Sequence, residues 1–364
     1  MMLTPFNSSA VGTEGRKQCI VNDHMEPFIV LYILIFIISL PGNLLSVWAF
    51  IRSPRAKCLK IFVVVPLQQQ STSVYLVNLL VADLLLLIAL PFKILKDLGA
   101  LPWKLMVFHC QVSAVSIYIS LYASIAFLAF IITDSYLKDC HTPRSLRLLE
   151  VGFARLLSLV VWLLLLLIMV PNMALPIQQV QEQQYLSCSS LKKDIGLHWH
   201  ALTVFLCTAL FLNASVAVLL SSGLSLKRLL GSRNDSKLWV DARRAAGSVA
   251  AVAAVALAYI FSFVPYHVIR TPYTLAQTKV ITDCPTKKQL FLWKESTLLL
   301  SVLHLCFDPL IFFYLCTPFR QKIRKMFPCC RKQTVGDTET QAAEVMMRPA
   351  TAVQKEEEGI HSHF

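Results

Sequence analysis

Seven mostly apolar runs follow one another along the chain, near 26–51, 74–95, 107–133, 154–176, 198–226, 245–270 and 289–316. Each is long enough for a helix to cross a hydrocarbon core roughly 30 Å thick. Seven in series, joined by short polar links, leave little chain to cover them with water-soluble surface. The 364 residues are 56% hydrophobic and only 15% charged, with a mean hydropathy of +0.60, far from the balance of a soluble domain. The expected fold class is an all-α membrane protein, a seven-transmembrane helix bundle. Pro41, Pro91, Pro171, Pro265 and Pro309 sit inside the runs, where neighbouring helices can satisfy the freed backbone groups, and they mark kinks.

Lys and Arg number 34 against 21 Asp and Glu, a net +13, and the excess is unevenly placed. Arg52, Arg55, Lys57 and Lys60 follow the first run, and Lys138, Arg144 and Arg147 the third. Six more, from Lys227 to Arg244, separate the fifth run from the sixth, and Arg320, Lys322, Arg324 and Lys325 follow the seventh. Basic loops stay cytoplasmic, so the amino terminus is expected outside, with Asn7 of Asn7-Ser8-Ser9 a glycosylation acceptor. Similar triplets at Asn213 and Asn234 fall in a span and a cytoplasmic loop and read as chance. The opening residues are polar, so the first span is read as a signal anchor rather than a cleaved leader.

Eleven cysteines divide by side. Cys19, Cys110, Cys188 and Cys284 face the oxidising compartment, where disulfides persist, and their number alone allows three connectivities. Cys329 and Cys330 follow the amphipathic stretch "TPFRQKIRKMF" on the inner side. They read as palmitoylation sites beside a short amphipathic eighth helix, or as free thiols in a basic tail. The expected organisation is an extracellular terminus over 1–25, a receptor domain over 26–316, the eighth helix over 317–330 and a disordered cytoplasmic tail over 331–364. One stretch stands apart. "LKIFVVVPLQQQSTS", 59–73, lengthens the first inner loop, and its apolar half is too short to span.

Charged groups inside spans are costly and default to function. Asp83 in "NLLVADLL" and Asp308 in "LCFDPLIFF", with Asn43 in "LPGNLL", form one expected cluster for water or a structural sodium ion; singly, each reads as a helix-helix hydrogen bond. No other metal and no cofactor is expected. These residues, with Cys110, Trp162, "FSFVPYH" and "DPLIFF", resemble in order the signature positions of rhodopsin-type (class A) G-protein-coupled receptors, over roughly residues 25 to 330. "HVIRTPYTLAQT" and "WKESTLLL" resemble the purinergic-like group within that family. "LVVWLLLLLIMVPNMALPI", "PWKLMVFHCQVSA" and "YTLAQTKVITDC" narrow the resemblance to one orphan member of the group.

The resemblance implies two disulfides, Cys110 with Cys188 and Cys19 with Cys284. It implies an outward pocket entered by Tyr118, Tyr122, His200, His267, Arg270, Tyr273 and Lys294. His267 and Arg270 are three apart and so share a helix face. In nucleotide-binding relatives the matching basic residues contact phosphate, and Arg270 and Lys294 suit phosphate or carboxylate alike. The other reading of these bases is an internal pair with Glu295 or Asp283. Phe263 above the Pro265 kink is the expected activation switch, the kink easing an outward swing of span six.

Three departures from the family pattern gather on the inner side. In "IITDSYL" Ser135 stands between Asp134 and Tyr136 where the family carries arginine, whose roles are to pair with the Asp at rest and to contact the G protein when active. Asp134 is then expected to pair with Arg144, Arg147 or solvent. After Asp308 and Pro309, Phe312 replaces the usual tyrosine, and Tyr314 should face elsewhere. The long first inner loop reads as a misjoined exon boundary near residue 60, and Ser135 as a true substitution.

The expected function is a plasma-membrane receptor for an extracellular anionic ligand (a nucleotide, an acidic lipid or a peptide). It would act through a heterotrimeric G protein of the inhibitory type by family analogy. The alternative is a decoy or a heteromer partner that does not signal, for which Ser135 speaks. A nucleic-acid polymer is not an expected partner. An odd number of spans without an internal repeat counts against a transporter. The absence of HExxH, GxSxG and phosphate-loop patterns counts against an enzyme.

Overall fold

The computed structural model describes residues 25–51, 71–140, 149–175, 188, 192–232, 239–277, 281, 283–315 and 320. Apart from Arg320, all belong to one compact unit, Met1–Phe319. Asn7, Cys19, residues 59–70, the expected eighth helix apart from Arg320, Cys329, Cys330 and the tail lie outside the described residues.

The apolar runs fold as α1 (Glu26–Ile51), α2 (Ser71–Asp97), α3 (Trp103–Phe108), a π turn (His109–Ser113) and α4 (Ala114–Cys140). They continue as α5 (Val151–Met169), α6 (Pro171–Ala174), α7 (Asp194–Ser232), α8 (Trp239–Gln277), α9 (Cys284–Val302) and α10 (His304–Leu315). Seven stretches of these helices are long and apolar enough to cross a membrane, from Glu26–Ile51 to Cys284–Leu315. Span three is α3, the π turn and α4; span seven is α9 and α10, separated by a turn at Leu303.

Hydropathy misses the helix ends where the last turns are polar. Ser71, Thr72 and Ser73, which read as loop in the sequence, are the first turn of α2. Their hydroxyls need not face lipid, because Ser71 and Thr72 are buried against α4. α7 and α8 have 39 residues each, about 58 Å at 1.5 Å per residue, and so outrun the bilayer. Pro41, Pro91, Pro265 and Pro309 lie inside helices, as does Pro272. Pro171 instead opens α6, where its missing N–H costs nothing.

The bundle has its polar residues inside and much of its bulk hydrophobic surface outside. Asn43, Asp83 and Asp308 are 0% exposed, whereas Leu167 is 72% and Phe205 70% exposed. Lipid tails are as apolar as leucine, so helix association here rests on close packing and polar contacts rather than on hydrophobic burial. α4 is central and touches α2, α5, α7 and α8. Trp162 of α5 donates to Asn78 of α2 at 2.8 Å. Gly42 lets α1 approach α10 closely: a Cβ there would lie 3.0 Å from Pro309 Cγ.

Candidate functional site

At one end of the bundle, α2, α4, α7, α8 and α9 part around a cavity of about 140 Å³. A disulfide joins Cys110, on the π turn, to Cys188 ahead of α7, and both cysteines line the cavity. Cys284 is also disulfide-bonded; Cys19, its implied partner, lies outside the described residues.

Six of the seven side chains expected in the pocket line it: Tyr118, Tyr122, His200, Arg270, Tyr273 and Lys294. The seventh, His267, does not. Its ring stacks on Phe211, with centroids 3.7 Å apart, and its Nδ1 lies 2.8 Å from the Phe263 carbonyl oxygen. It shares a helix face with Arg270, but aromatic packing holds it inside the wall.

Arg270 is 3% exposed, yet among the described residues no carboxylate lies within 4.0 Å of it. Its surroundings are aromatic. The guanidinium carbon sits 5.1 Å from the centre of the Tyr118 ring and 6.0 Å from that of Tyr273, where ring faces attract a cation. One Nη lies 3.2 Å from His200 Nε2. Arginine can only donate, so His200 accepts at Nε2 and is neutral. The charge is thus sheltered but keeps donors to offer.

Lys294 behaves differently and follows the internal-pair reading. It contacts Glu295 at 2.5 Å. Glu295 also takes Lys93 at 3.0 Å, Lys93 takes Asp97 at 2.9 Å, and Asp97 takes Lys96 at 2.9 Å. Three lysines on two carboxylates leave one positive charge over. Asp283, the other candidate acid, caps α9 instead, accepting from the Thr286 backbone at 3.0 Å and its hydroxyl at 2.6 Å. Those bonds hold its carboxyl below the ordinary range.

Lys93, Lys96 and Lys192 also line the cavity, and the sequence reading missed all three. The signal was "FKILKD" at the end of span two, which sets Lys93 and Asp97 one helical turn apart. Lys192 reaches Asn172 Oδ1 at 3.1 Å. Burial, opposed by Tyr118 and reinforced by Arg270, brings its ammonium down to about 8.

At the opposite end Asp134 has partners the sequence did not suggest, while Arg144 and Arg147 lie outside the described residues. The carboxylate is 4% exposed and accepts from Ser71 and Thr72 of α2 at 2.5 Å each. Among the described residues its ion pair is with Lys138, one turn along α4, at 2.8 Å; Lys138 also contacts the Thr72 hydroxyl. Ser135 turns its hydroxyl back to the Ile131 carbonyl at 2.8 Å, and Tyr136 is half-buried. Phe312 is fully buried, edge-on to Phe50, while Tyr314 points outward at 65% exposure.

Between the two ends lies a cluster of acceptors. Asp83 and Asp308 come together, and His304 joins them, its Nε2 3.7 Å from Asp83 Oδ1. Asn43 is fully buried, and among the described residues no donor reaches its Oδ1. Its Nδ2 donates to the carbonyls of Ser39 at 3.1 Å and Leu305 at 3.0 Å, and so it secures the backbone of α10. Phe263 lies directly against the cluster, its ring centre 5.4 Å from that of His304, two residues before Pro265.

Comparison with known proteins agrees with this architecture. The family model described as "7 transmembrane receptor (rhodopsin family)" matches residues 42–312. G-protein coupled receptor 171 of mouse is 44% identical over 320 residues, 88% of this chain and 95% of its own. The human receptor of that name is 44% identical over 316 residues, 86% of this chain and 94% of its own. A purinoceptor of cattle, number 14 of its series, is 35% identical over 312 residues, 85% and 88% respectively.

Proposed function

The chain belongs to the rhodopsin family of seven-transmembrane receptors, in its purinergic-like group, and from that premise we propose that it is a plasma-membrane receptor for an extracellular anionic ligand. The observation that carries the reading is Arg270, buried at 3% exposure among tyrosine rings with only His200 as a hydrogen-bond partner among the described side chains. A guanidinium so placed is pre-ordered and desolvated, and phosphate or carboxylate oxygens match its fork. Lys93, Lys96, Lys192 and Lys294 line the same cavity against one lining carboxylate, Glu295, which adds a field favouring anions. Nucleotide, acidic lipid and peptide carboxyl terminus share this chemistry; the name of the bovine relative, a purinoceptor, favours the first.

The amino terminus faces out in this reading, and the Asp134 end meets a heterotrimeric G protein of the inhibitory type. Lys138 supports a coupling receptor over a silent binder, because it supplies beside Asp134 the cation that Ser135 lacks. Asp83 and Asp308, buried in the bundle, hold a cation there. The test is G-protein activation in cells carrying equal surface amounts of the native chain, Arg270→Gln and Ser135→Arg. Each is challenged with nucleotides, nucleotide sugars, acidic lipids and peptides. A response of the native chain to an anionic class that fails with Arg270→Gln supports the reading. A response that survives Arg270→Gln, or activation by uncharged ligands alone, overturns the site.

A further inference from the structure

Two carboxyl groups and an imidazole meet inside the bundle with their lone pairs facing one another. Asp83 projects from α2, and His304 and Asp308 are one turn apart on α10. They are 0%, 2% and 0% exposed, and one ligand atom from each lies within 4.8 Å of the others. Among the described residues, no donor reaches either oxygen of Asp83, either oxygen of Asp308, or Nε2 of His304. Burying acceptors of this kind is costly unless a proton or a cation neutralises them.

His304 decides which cation. Its Nδ1 lies 2.5 Å from the Ser301 carbonyl oxygen. A carbonyl can only accept, so Nδ1 carries the proton and Nε2 turns a bare lone pair toward the carboxylates. That is the arrangement of a metal-ligating histidine, oriented by a backbone carbonyl on its far nitrogen. Sodium prefers an all-oxygen shell, whereas one imidazole with carboxylates suits zinc and its neighbours, with three protein ligands and a position left open.

Resting on the reading that this cluster holds a cation, we infer that Asp83, His304 and Asp308 form a site for a divalent transition cation such as Zn²⁺, in preference to sodium. A cation there joins α2 to α10. It sits directly against Phe263 and one turn from Ser301, whose hydroxyl donates to the Ser262 carbonyl of α8 at 2.8 Å. Occupancy therefore bears on the position of α8 beside its proline kink.

The test uses the full-length receptor in nanodiscs, stripped with a chelator and returned to chelator-free buffer. Thermal unfolding is followed with Zn²⁺, Co²⁺ or roughly 150 mM Na⁺, and Co²⁺ is read by its visible ligand-field bands. Saturating Zn²⁺ is expected to raise Tm on the order of 5 °C, and Co²⁺ to show nitrogen-containing coordination. His304→Asn should abolish both and leave an oxygen-only site that answers to sodium; Asp83→Asn should abolish every response. A Zn²⁺ shift that survives His304→Asn, or a sodium shift as large as that of Zn²⁺ in the native chain, overturns the transition-metal inference while the cation reading stands. Silence from all cations overturns both readings and leaves the two carboxyls sharing a proton.

Discussion

Lys138 pairs with Asp134 across one turn of α4 at 2.8 Å, and both reach Thr72 at the start of α2. The cation that the family places next to the aspartate is here moved one turn further along. Lys138→Ala should leave a nearly buried carboxylate with two hydroxyl donors and, among the described residues, no counter-charge. The lysine is 35% exposed, so the loss is about 1 kcal/mol rather than the larger value of a fully buried pair. If the clamp holds the resting state, basal G-protein activation rises roughly fivefold. Adding Ser135→Arg should bring it back down. Basal activity unchanged in Lys138→Ala would show the pair to be passive.

Removing the anchor should weaken ligand more than fold. Arg270→Gln is expected to raise the half-maximal ligand concentration roughly 100-fold. Arg270→Lys keeps the charge but loses the fork, and should cost roughly tenfold. Surface expression is the control: among the described residues no carboxylate partner is left stranded by either change, so neither should lower it.

Lys192 sets a pH dependence whose sign can be worked out. Its ammonium value has come down to about 8, so the side chain is charged below that pH and neutral above it. Affinity for an anion should therefore be highest below pH 8 and fall as pH rises through that value. Lys192→Gln removes this residue's share of the fall. Binding curves from about pH 7 to about pH 9 that are the same for native and Lys192→Gln receptor would exclude it from the site.

The contact between α1 and α10 is a packing test. Gly42→Ala gains helix propensity of about 1 kcal/mol, but its Cβ would press on Pro309 Cγ at 3.0 Å, so the two effects nearly cancel. Gly42→Val adds two methyl groups with nowhere to go and should cost about 1–3 kcal/mol. Thermal unfolding in detergent would check the order. Equal Tm values for valine and glycine would mean the helices separate freely here.

The seven spans were legible because lipid contact imposes length and hydropathy on each helix by itself. What the sequence hid was set by neighbours in space. His304 is an isolated histidine in an apolar run, and nothing in its own run marks it as facing Asp83. Lys93, Lys96 and Lys192 are ordinary cations at span ends until the bundle turns them inward. His267 went wrong for a related reason: helical spacing fixes direction around the axis, but a stacking partner such as Phe211 decides whether the ring reaches the cavity. Asp134 meets Lys138, which the sequence did not single out, because a residue one turn away on the same helix is already in reach.

The π turn makes chain length itself part of the binding site. Cys110 and Tyr118 are eight residues apart, which in an unbroken α-helix sets them about 80° apart around the axis. The extra residue in His109–Ser113 absorbs one step and brings the angle down to about 20°, so the cysteine that ties down Cys188 and the tyrosine that faces Arg270 share one stripe. Straightening the helix with all eight residues kept would rotate the disulfide away from the stripe that faces the ligand. Eight residues along the chain thus suit this site only while the turn stays π, whichever side chains fill it.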